Sequence, residues 1–245
     1  GSAAQLAAVE EVRRRELEAM RKVDLVLSYS DVEHAVIQSH TDGAVKVMRC
    51  PWVVEPAADV PPFEDRAGLS FLGSFRHTPN AEAAAWFAER VMRPLAEDRP
   101  DIVLHLYGSA MTDAVRALAA DNIRAEGFVE RVEDAYDGHR IFVAPLLSGA
   151  GIKGKVLTAL ARRIPCILSP IAAEGIGLRH GHDCLIAATP EDWLAHIRTL
   201  YDDARLCDTI ARNAASYVAE TFSFAKGRAE MRAAFEAVDL FGSLE

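Results

Sequence analysis

Residues 144–161, APLLSGAGIKGKVLTALA, determine the fold of this chain. The mostly apolar residues just before them, 140–143, predict a short buried strand. Apolar side chains at helical spacing then predict a helix from Ile152 to Arg163, with Ala and Leu at most of its other positions. A loop of small residues, 148–151, joins the two. The stretch is therefore a strand–loop–helix unit of an α/β protein.

This layout favours an anion as the ligand. A glycine loop at a helix start directs backbone N–H groups, and the positive end of the helix dipole, at whatever lies above them. Lys153 and Lys155 fall in the predicted first turn, where a cation is unfavourable unless an anion is bound nearby. The alternative is a tight turn with solvated lysines, because Gly149-Ala150-Gly151 alone is a weak phosphate-binding pattern.

Composition excludes several classes of protein. The chain has 245 residues, half of them hydrophobic, which predicts one or two domains with a sizeable core. A net charge of -9 argues against nonspecific nucleic-acid binding, which needs a basic face. No apolar run approaches the roughly 20 residues of a membrane span. We expect no signal peptide, since Gly1-Ser2 is typical of an expression-vector remnant. The scattered cysteines predict a cytoplasmic protein.

Cysteine and histidine give no metal-binding pattern. The four cysteines are scattered without CxxC spacing, which predicts reduced thiols, mostly in the core: Cys50, Cys166, Cys184 and Cys207. His180 and His182 flank Gly181, but no carboxylate or cysteine stands at a ligand spacing from them. His105 lies in a predicted strand, where a satisfied sheet histidine is expected. We therefore expect no metal site.

The first 50 residues alternate between helices and strands. The pattern predicts a helix over 5–21, a buried strand over Val23–Ser28, a helix from Ser30 or Asp31 to Gln38, and a strand over Val45–Met48. Four prolines between residues 51 and 62 then predict an extended linker. The chain thus opens in the middle of an α/β pattern, as the last units of a domain would.

From Leu69 onward the same alternation continues to about residue 200. It includes predicted helices from Pro79 to about Arg93 and from Met111 to Ala120, and it implies a parallel, doubly wound sheet. Ligands of such sheets bind at the carboxyl ends of the strands. Glycine recurs in the loops at that edge, which favours close approach of a ligand to the backbone: Gly73, Gly108, Gly127, Gly149 and Gly151.

Several segments in this order resemble a known family. The chain from about residue 69 to 222 is similar to the C-terminal, nucleotide-sugar-binding domain of a family 4 glycosyltransferase with the GT-B fold. The resemblance is carried by Phe71-Leu72-Gly73-Ser74 with Pro79-Asn80, Leu106-Tyr107-Gly108, Ala125-Glu126-Gly127-Phe128-Val129, residues 144–161, Leu168-Ser169-Pro170, Ala173-Glu174-Gly175 and residues 181–186.

The resemblance implies a fold, a function and a domain plan. Residues 56–222 would form the Rossmann-like donor domain, 1–55 a remnant of the N-terminal, acceptor-side domain, and 223–245 a helix crossing back towards that remnant. The implied activity is transfer of a sugar from a nucleoside diphosphate to a glycan, lipid-linked or other acceptor, with retention and without a cofactor. The fragment alone would be inactive, and peripheral membrane association would depend on the missing domain.

The resemblance also assigns site residues. The family's pair of glutamates, eight positions apart, is replaced here by Ala150 and Thr158. In the family the second glutamate holds the ribose hydroxyls, and Thr158 can supply one uncharged hydrogen bond in its place, which implies weak donor binding or an unusual donor. Lys155 and, less specifically, Arg76 would act on the diphosphate as it leaves. Glu174 would bind the donor sugar or cap the next helix. The full donor-binding set is Gly73, Ser74, His77, Gly108, Phe128, Val129, Gly149, Ala150, Gly151, Ile152, Thr158 and Glu174.

Two other functions compete with this one. An NAD-type binder requires GxGxxG after the first strand, and residues 73–78, GSFRHT, lack it. A non-catalytic relic of the same fold, serving as a nucleotide-binding or protein-interaction module, stays open because both glutamates are lost.

Overall fold

The computed structural model describes residues 3–240, so Gly1-Ser2 and the last five residues of the predicted C-terminal segment lie outside the described part. The helices are α1 (Ala3–Met20), α2 (Asp31–Thr41), α3 (Thr78–Phe87), α4 (Arg93–Leu95), α5 (Asp113–Arg116), α6 (Gly154–Ala161), α7 (Pro170–Ala173), α8 (Pro190–Asp202), α9 (Ala204–Thr221) and α10 (Phe224–Glu236). The strands are β1 (Val26–Ser28), β2 (Val47–Arg49), β3 (Leu69–Leu72), β4 (Leu104–Tyr107), β5 (Ile123–Gly127), β6 (Ile141–Ala144), β7 (Cys166–Leu168) and β8 (Leu185–Ile186).

The first of two compact units comprises residues 3–53 and 224–240. Its strands β1 and β2 pair in parallel, and α10 packs against β2. Ser30 caps α2 by accepting a hydrogen bond from the backbone N–H of Glu33. The prediction of a buried strand over Val23–Ser28 is wrong at its start and in its burial. The strand begins at Val26, Val23 and Leu27 are exposed, and Ser28 is the one buried residue of the strand.

This unit leaves many apolar side chains in contact with solvent. Its two-stranded sheet and three helices, α1, α2 and α10, leave apolar surface uncovered, and a two-stranded sheet is marginal as an independent structure. Its exposed large apolar side chains are Leu6, Val9, Val12, Val23, Leu27, Tyr29, Val32, Val36, Val53, Phe224 and Leu240.

The second unit, Val54–Ser223, contains a six-stranded parallel sheet in the order β5-β4-β3-β6-β7-β8. The predicted parallel, doubly wound α/β fold is confirmed. Leu69 pairs with Leu104 on one side and with Ile141 on the other, so β3 is a central strand. The strand order reverses between β3 and β6, which is where doubly wound sheets place their ligands.

Many buried residues of this unit lie in the central strands and in the helix faces that cover the sheet. All four residues of β6 are buried, because a parallel strand in the middle of a sheet has helices over both faces. Cys166 and Cys184 are buried among apolar residues, as the sequence predicted, and Cys207 is buried too. Trp193 of α8 packs edge-on against Phe87 of α3, with 5.1 Å between ring centroids.

Three predicted helices differ from those observed. The helix predicted over 79–93 starts at Thr78 and widens into a π-helical turn over Ala88–Met92, since Pro94 has no N–H to continue the α-helical ladder. The helix predicted over 111–120 is shorter and comprises only α5. Beyond its end, Ala120 forms an antiparallel β-bridge with Ile123, which is incompatible with a continued helix. The helix predicted from Ile152 begins at Gly154, with Lys153 as an extended N-cap.

Candidate functional site

The loops that leave β3 and β4 touch at the carboxyl edge of the sheet, at the reversal of strand order. The backbone N–H of Gly73 donates to the carbonyl of Tyr107 at 3.0 Å, and that of Gly108 donates to the carbonyl of Gly127 at 2.7 Å. A Cβ on Gly108, whose φ is +148°, would lie 1.7 Å from the Gly73 carbonyl oxygen. Glycine is therefore required at position 108 for the two loops to meet.

A cleft opens on each side of the loop after β3. The first half lies between β3 and β6, has a volume of about 280 Å³, and is lined by the loop after β3, the start of α3 and the glycine loop before α6. Its lining includes Gly73, Ser74, His77, Asn80, Ser148, Gly149, Ala150, Lys153, Gly154 and Lys155.

The second half lies over β4 and β5 and shares Leu72, Gly73 and Ser74 with the first. Its volume is about 310 Å³, and it is lined further by Gly108, Ser109, Phe128, Val129, Glu130 and Val132. Phe128 is 71% exposed, which is unusual for a large aromatic residue and leaves its ring available to a flat ligand.

Lys155 is the cation best placed in the first half of the cleft. Its ammonium donates a hydrogen bond to Asn80 Oδ1 at 2.6 Å and lies 4.4 Å from the centroid of the Phe71 ring. Asn80 in turn donates from Nδ2 to the carbonyl of Ser74 at 2.8 Å. The hydroxyl of Tyr136 donates to the carbonyl of Lys155 at 3.0 Å. Side chains from three elements thus fix the position of this lysine.

The electrostatics of Lys155 favour an anionic guest. Burial, and then the charge of Lys153, lower the pKa of Lys155 to about 7. The ammonium has a neutral amide and an aromatic face as partners and no carboxylate among the described residues. An anion in the cleft would replace lost hydration and stabilise the charged form.

The start of α6 adds backbone donors to the same place. Gly149 and Gly151 adopt positive φ angles of 120° and 74°, which turn the chain from β6 into the helix. No described residue accepts a hydrogen bond from the backbone N–H of Gly154 or Lys155. Unpaired N–H groups at a helix start form an anion-binding arrangement.

The cleft brings together nine of the predicted site residues. Six line its first half and three more line its second half: Gly73, Ser74, His77, Gly149, Ala150 and Lys155, then Gly108, Phe128 and Val129. Five others do not line it: Arg76, Gly151, Ile152, Thr158 and Glu174.

These five have other surroundings. Arg76 is exposed, and the Thr158 hydroxyl donates to the carbonyl of Gly154 at 3.1 Å. Glu174 is exposed at the end of α7, so it does not begin a helix and the helix-cap alternative for it is wrong. Asn80 is a cleft residue that sequence reasoning missed, although Pro79-Asn80 already carried part of the resemblance.

Three histidines outside the cleft have partners within the protein: His105, His180 and His182. His105 Nδ1 lies 2.8 Å from Glu126 Oε1, and His182 Nδ1 lies 2.6 Å from Asp183 Oδ1. His180 accepts a hydrogen bond from the backbone N–H of Ile186 at 2.9 Å. Within residues 3–240, no group of three or more His, Cys, Asp or Glu side chains is arranged to hold a metal ion.

No helix in the described part of the chain is both long enough and apolar enough to cross a bilayer.

Comparison with known proteins supports the assignment of the fold. The chain is similar to TarM with a TM-score of 0.74 and 12% sequence identity, over 95% of this chain and 46% of TarM. The chain is also similar to the pneumococcal O-GlcNAc transferase GtfA, solved in complex with UDP and GlcNAc. The TM-score is 0.71 at 16% sequence identity, over 91% of this chain and 47% of GtfA. These likenesses establish a GT-B type, Rossmann-like domain.

Sequence comparison identifies the family. An uncharacterized 44.6 kDa protein in the cps region of Klebsiella pneumoniae is 28% identical over 165 residues, which are 64% of this chain and 42% of that protein. The chain therefore spans less than half the length of this curated relative. The family model for glycosyl transferases group 1 matches residues 66–203, more than half of the chain. The chain belongs to the glycosyl transferases of group 1.

Proposed function

We propose that this chain is the donor-binding part of a glycosyltransferase that transfers a sugar from a nucleoside-diphosphate sugar to a glycan, lipid-linked or other acceptor. The observation that carries the proposal is the two-part cleft at the reversal of strand order, with Lys155 and the unpaired N–H groups of α6 in one half and the exposed Phe128 in the other. An elongated ligand with a diphosphate and a flat base matches this division.

Each half of the cleft has a role in this proposal. The diphosphate lies over the start of α6, where Lys155 neutralises the charge that develops on the leaving nucleoside diphosphate as its bond to the sugar breaks. The base lies along residues 127–129, next to the Phe128 ring. The complexes of GtfA with UDP and GlcNAc and of Anabaena HepE with UDP and glucose support a nucleotide of this kind without fixing the base used here.

The finer parts of the proposal follow from the resemblance. They are membership of family 4, retention of configuration, a cytoplasmic location, a role in polysaccharide biosynthesis, and catalysis without a cofactor or metal. Arg76, Gly151, Ile152, Thr158 and Glu174 remain candidate donor contacts that a bound ligand or a loop movement would have to bring in.

The acceptor side belongs to the first unit in this proposal. Residues 3–53 and 224–240 would be part of an N-terminal, acceptor-side domain whose other strands would cover the exposed apolar residues. Without those strands the chain is expected to be inactive in transfer. Peripheral membrane association would depend on them as well.

Calorimetry with UDP, GDP and their sugars tests the proposal. We expect one of these series to bind, and Lys155→Ala to weaken binding tenfold or more, which corresponds to about 1.4 kcal/mol. Lys226→Ala, which removes a lysine from the first unit, is the control and should bind as the unaltered chain does. Hydrogen exchange should show ligand protection from Gly149 to Lys155.

Two outcomes would contradict the proposal. Folded protein that binds none of these compounds at millimolar concentration would indicate a non-catalytic module instead. Unchanged affinity in Lys155→Ala would remove Lys155 from the site and leave the placement of the diphosphate without its main support.

A further inference from the structure

A second cavity lies at the opposite edge of the same sheet, where the strands begin. It has a volume of about 240 Å³ and is lined by residues that lead into β3, β6 and β7, with one wall from α9. Its apolar walls come from Pro61, Pro62, Phe63, Pro165 and Ala211. Four arginines and one carboxylate supply its charge: Arg66, Arg140, Arg163, Arg212 and Asp208.

Arg66 is the most deeply buried of these arginines, at 5% exposure. Its Nε donates to the carbonyl of Pro61 at 2.8 Å and one Nη donates to the carbonyl of Arg163 at 2.9 Å. The other Nη makes no hydrogen bond to any described residue. Burial lowers the pKa of Arg66, although a guanidinium stays protonated at any physiological pH. Its charge is therefore buried without a carboxylate in contact.

The guanidinium of Arg140 lies over two aromatic rings. Its guanidinium carbon lies 4.4 Å from the centroid of the Phe63 ring and 4.8 Å from that of Tyr201. One Nη donates to the carbonyl of Tyr201 at 3.2 Å, whereas Nε is buried and has no partner among the described residues. Leaving a buried donor unpaired costs stability, so this arrangement favours a ligand that accepts a hydrogen bond.

The remaining charges do not balance these two arginines. Asp208 is bound to Arg212 at 2.8 Å, so that pair is already neutral. Arg163 lies at the rim, and its side chain makes no ion pair or hydrogen bond with any described residue. Carbonyl groups near the ends of α6 and α8 account for some of the donors of Arg66 and Arg140, but they carry only partial negative charge.

We propose that this cavity binds a small phosphate-bearing anion at a site separate from the donor cleft. The shared chemistry is a phosphoryl group: guanidinium groups present paired N–H donors that match its oxygens, and Arg66, Arg140 and Arg163 offer three of them around one space. The proline and phenylalanine walls leave room for the carbon part of a phosphate ester. Binding would hold the segment Pro61–Phe63 against the edge of the sheet.

Nuclear magnetic resonance of the whole chain, labelled with 15N-arginine, tests this inference. The probes are inorganic phosphate and phenyl phosphate, which distinguish a free phosphate from an ester whose ring contacts the apolar wall. The reporter is the Nε–H signal of Arg140, assigned by its loss in Arg140→Lys. We expect saturable shifts at probe concentrations up to about 10 mM.

Two variants should change the affinity for the phosphate probes in opposite directions. Arg163→Gln removes a charge at the rim and should weaken binding by about threefold to tenfold. Asp208→Asn releases Arg212 from its ion pair and should strengthen binding by a similar factor. Because neither side chain is buried, both variants should fold, whereas Arg66 variants risk losing the contacts to Pro61 and Arg163.

The inference fails under clear conditions. Shifts of Arg140 that do not saturate, or that are equal in Arg163→Gln and Asp208→Asn, would indicate general ionic-strength effects. Saturable shifts that disappear in Lys155→Ala and persist in Arg163→Gln would assign the anion to the donor cleft. Neither result depends on whether nucleotides bind in the donor cleft. The proposal for the arginine cavity and the proposed function can therefore fail separately.

Discussion

The ammonium of Lys155 donates a hydrogen bond of 2.6 Å to the side-chain oxygen of Asn80, a residue 75 positions away. This contact joins the helix after β6 to the helix after β3, and it does so with a neutral partner. A carboxylate in the same place would hold the lysine as firmly and cancel its charge. The amide therefore keeps the cation in position and leaves its charge available to a ligand.

Asn80→Asp should show what the neutral partner contributes. The carboxylate would form an ion pair with Lys155, and we expect nucleoside-diphosphate affinity to fall about tenfold at pH about 6.5. Isothermal calorimetry measures the change. Asn80→Ala removes the hydrogen bond to Lys155 without adding a charge, and its nucleoside-diphosphate affinity should fall by a smaller factor than that of Asn80→Asp. Equal affinity in Asn80→Asp and the unaltered chain, with similar melting temperatures, would contradict this role.

Binding of a nucleotide sugar should weaken as the pH rises. Lys155 has a pKa of about 7, so it loses its positive charge above that pH, by up to a factor of about ten per pH unit if only the charged form binds. Conversely, a bound anion raises the pKa of Lys155, and binding at pH 7–8 should take up a proton. Calorimetry in two buffers of different ionisation enthalpy measures that uptake.

The control for this pH dependence is Lys155→Arg, because arginine stays protonated throughout the range. His77 lines the same cleft, so both proteins are also compared in a His77→Gln background. A profile that is equally steep with lysine and arginine at position 155 would show that another group is responsible.

Gly108→Ala should destabilise the protein and disturb the cleft. The added Cβ would lie 1.7 Å from the carbonyl oxygen of Gly73, and backbone must move to admit it. We expect a loss of about 2–4 kcal/mol in the free energy of unfolding, measured with urea. Gly138→Ala is the matched control, since its Cβ meets nothing within 4 Å, and it should change stability by less than about 0.5 kcal/mol. Equal stability of the two variants would contradict the contact.

Thr158→Glu should strengthen nucleotide binding. Thr158 follows the cleft residue Gly154 by one helical turn. Its hydroxyl donates a hydrogen bond to the Gly154 carbonyl, so that donor is not available to a ligand. A glutamate has the reach and the charge to accept hydrogen bonds from ribose hydroxyls, and we expect a gain of about tenfold. Thr158→Gln supplies a side chain of the same length without the charge, and its gain in nucleotide affinity should be smaller. If both variants bind alike, the ribose does not lie near this position.

Local patterns predicted the centre of the second unit well. The apolar run before the glycine loop is the fully buried β6, and the loop leads into a helix as expected. The start of that helix was placed two residues early, because apolar spacing continues through Ile152 while the backbone is still extended at Lys153. Periodicity identifies the helical face, but the backbone angles of the preceding glycines decide where the helix begins.

Contacts between distant segments could not be predicted in the same way. Asn80 and Lys155 meet because β3 pairs with β6, and sequence alternation does not specify which strands are neighbours. The arginine cavity was missed for the same reason. Arg66, Arg140 and Arg163 each stand a few residues before a strand, and only the adjacency of β3, β6 and β7 gathers them at one edge.

The position of β3 has a consequence for how the protein is made. Both partners of this central strand come later in the chain, and β6 is separated from it by residues 73–140. At about 5–20 residues per second, the ribosome leaves one side of β3 unpaired for roughly 4–14 s after its synthesis. An apolar strand with an open side is a template for aggregation. Nascent chains that stall before Ile141 should therefore depend on chaperones, whereas those that have passed Ala144 can close the centre of the sheet.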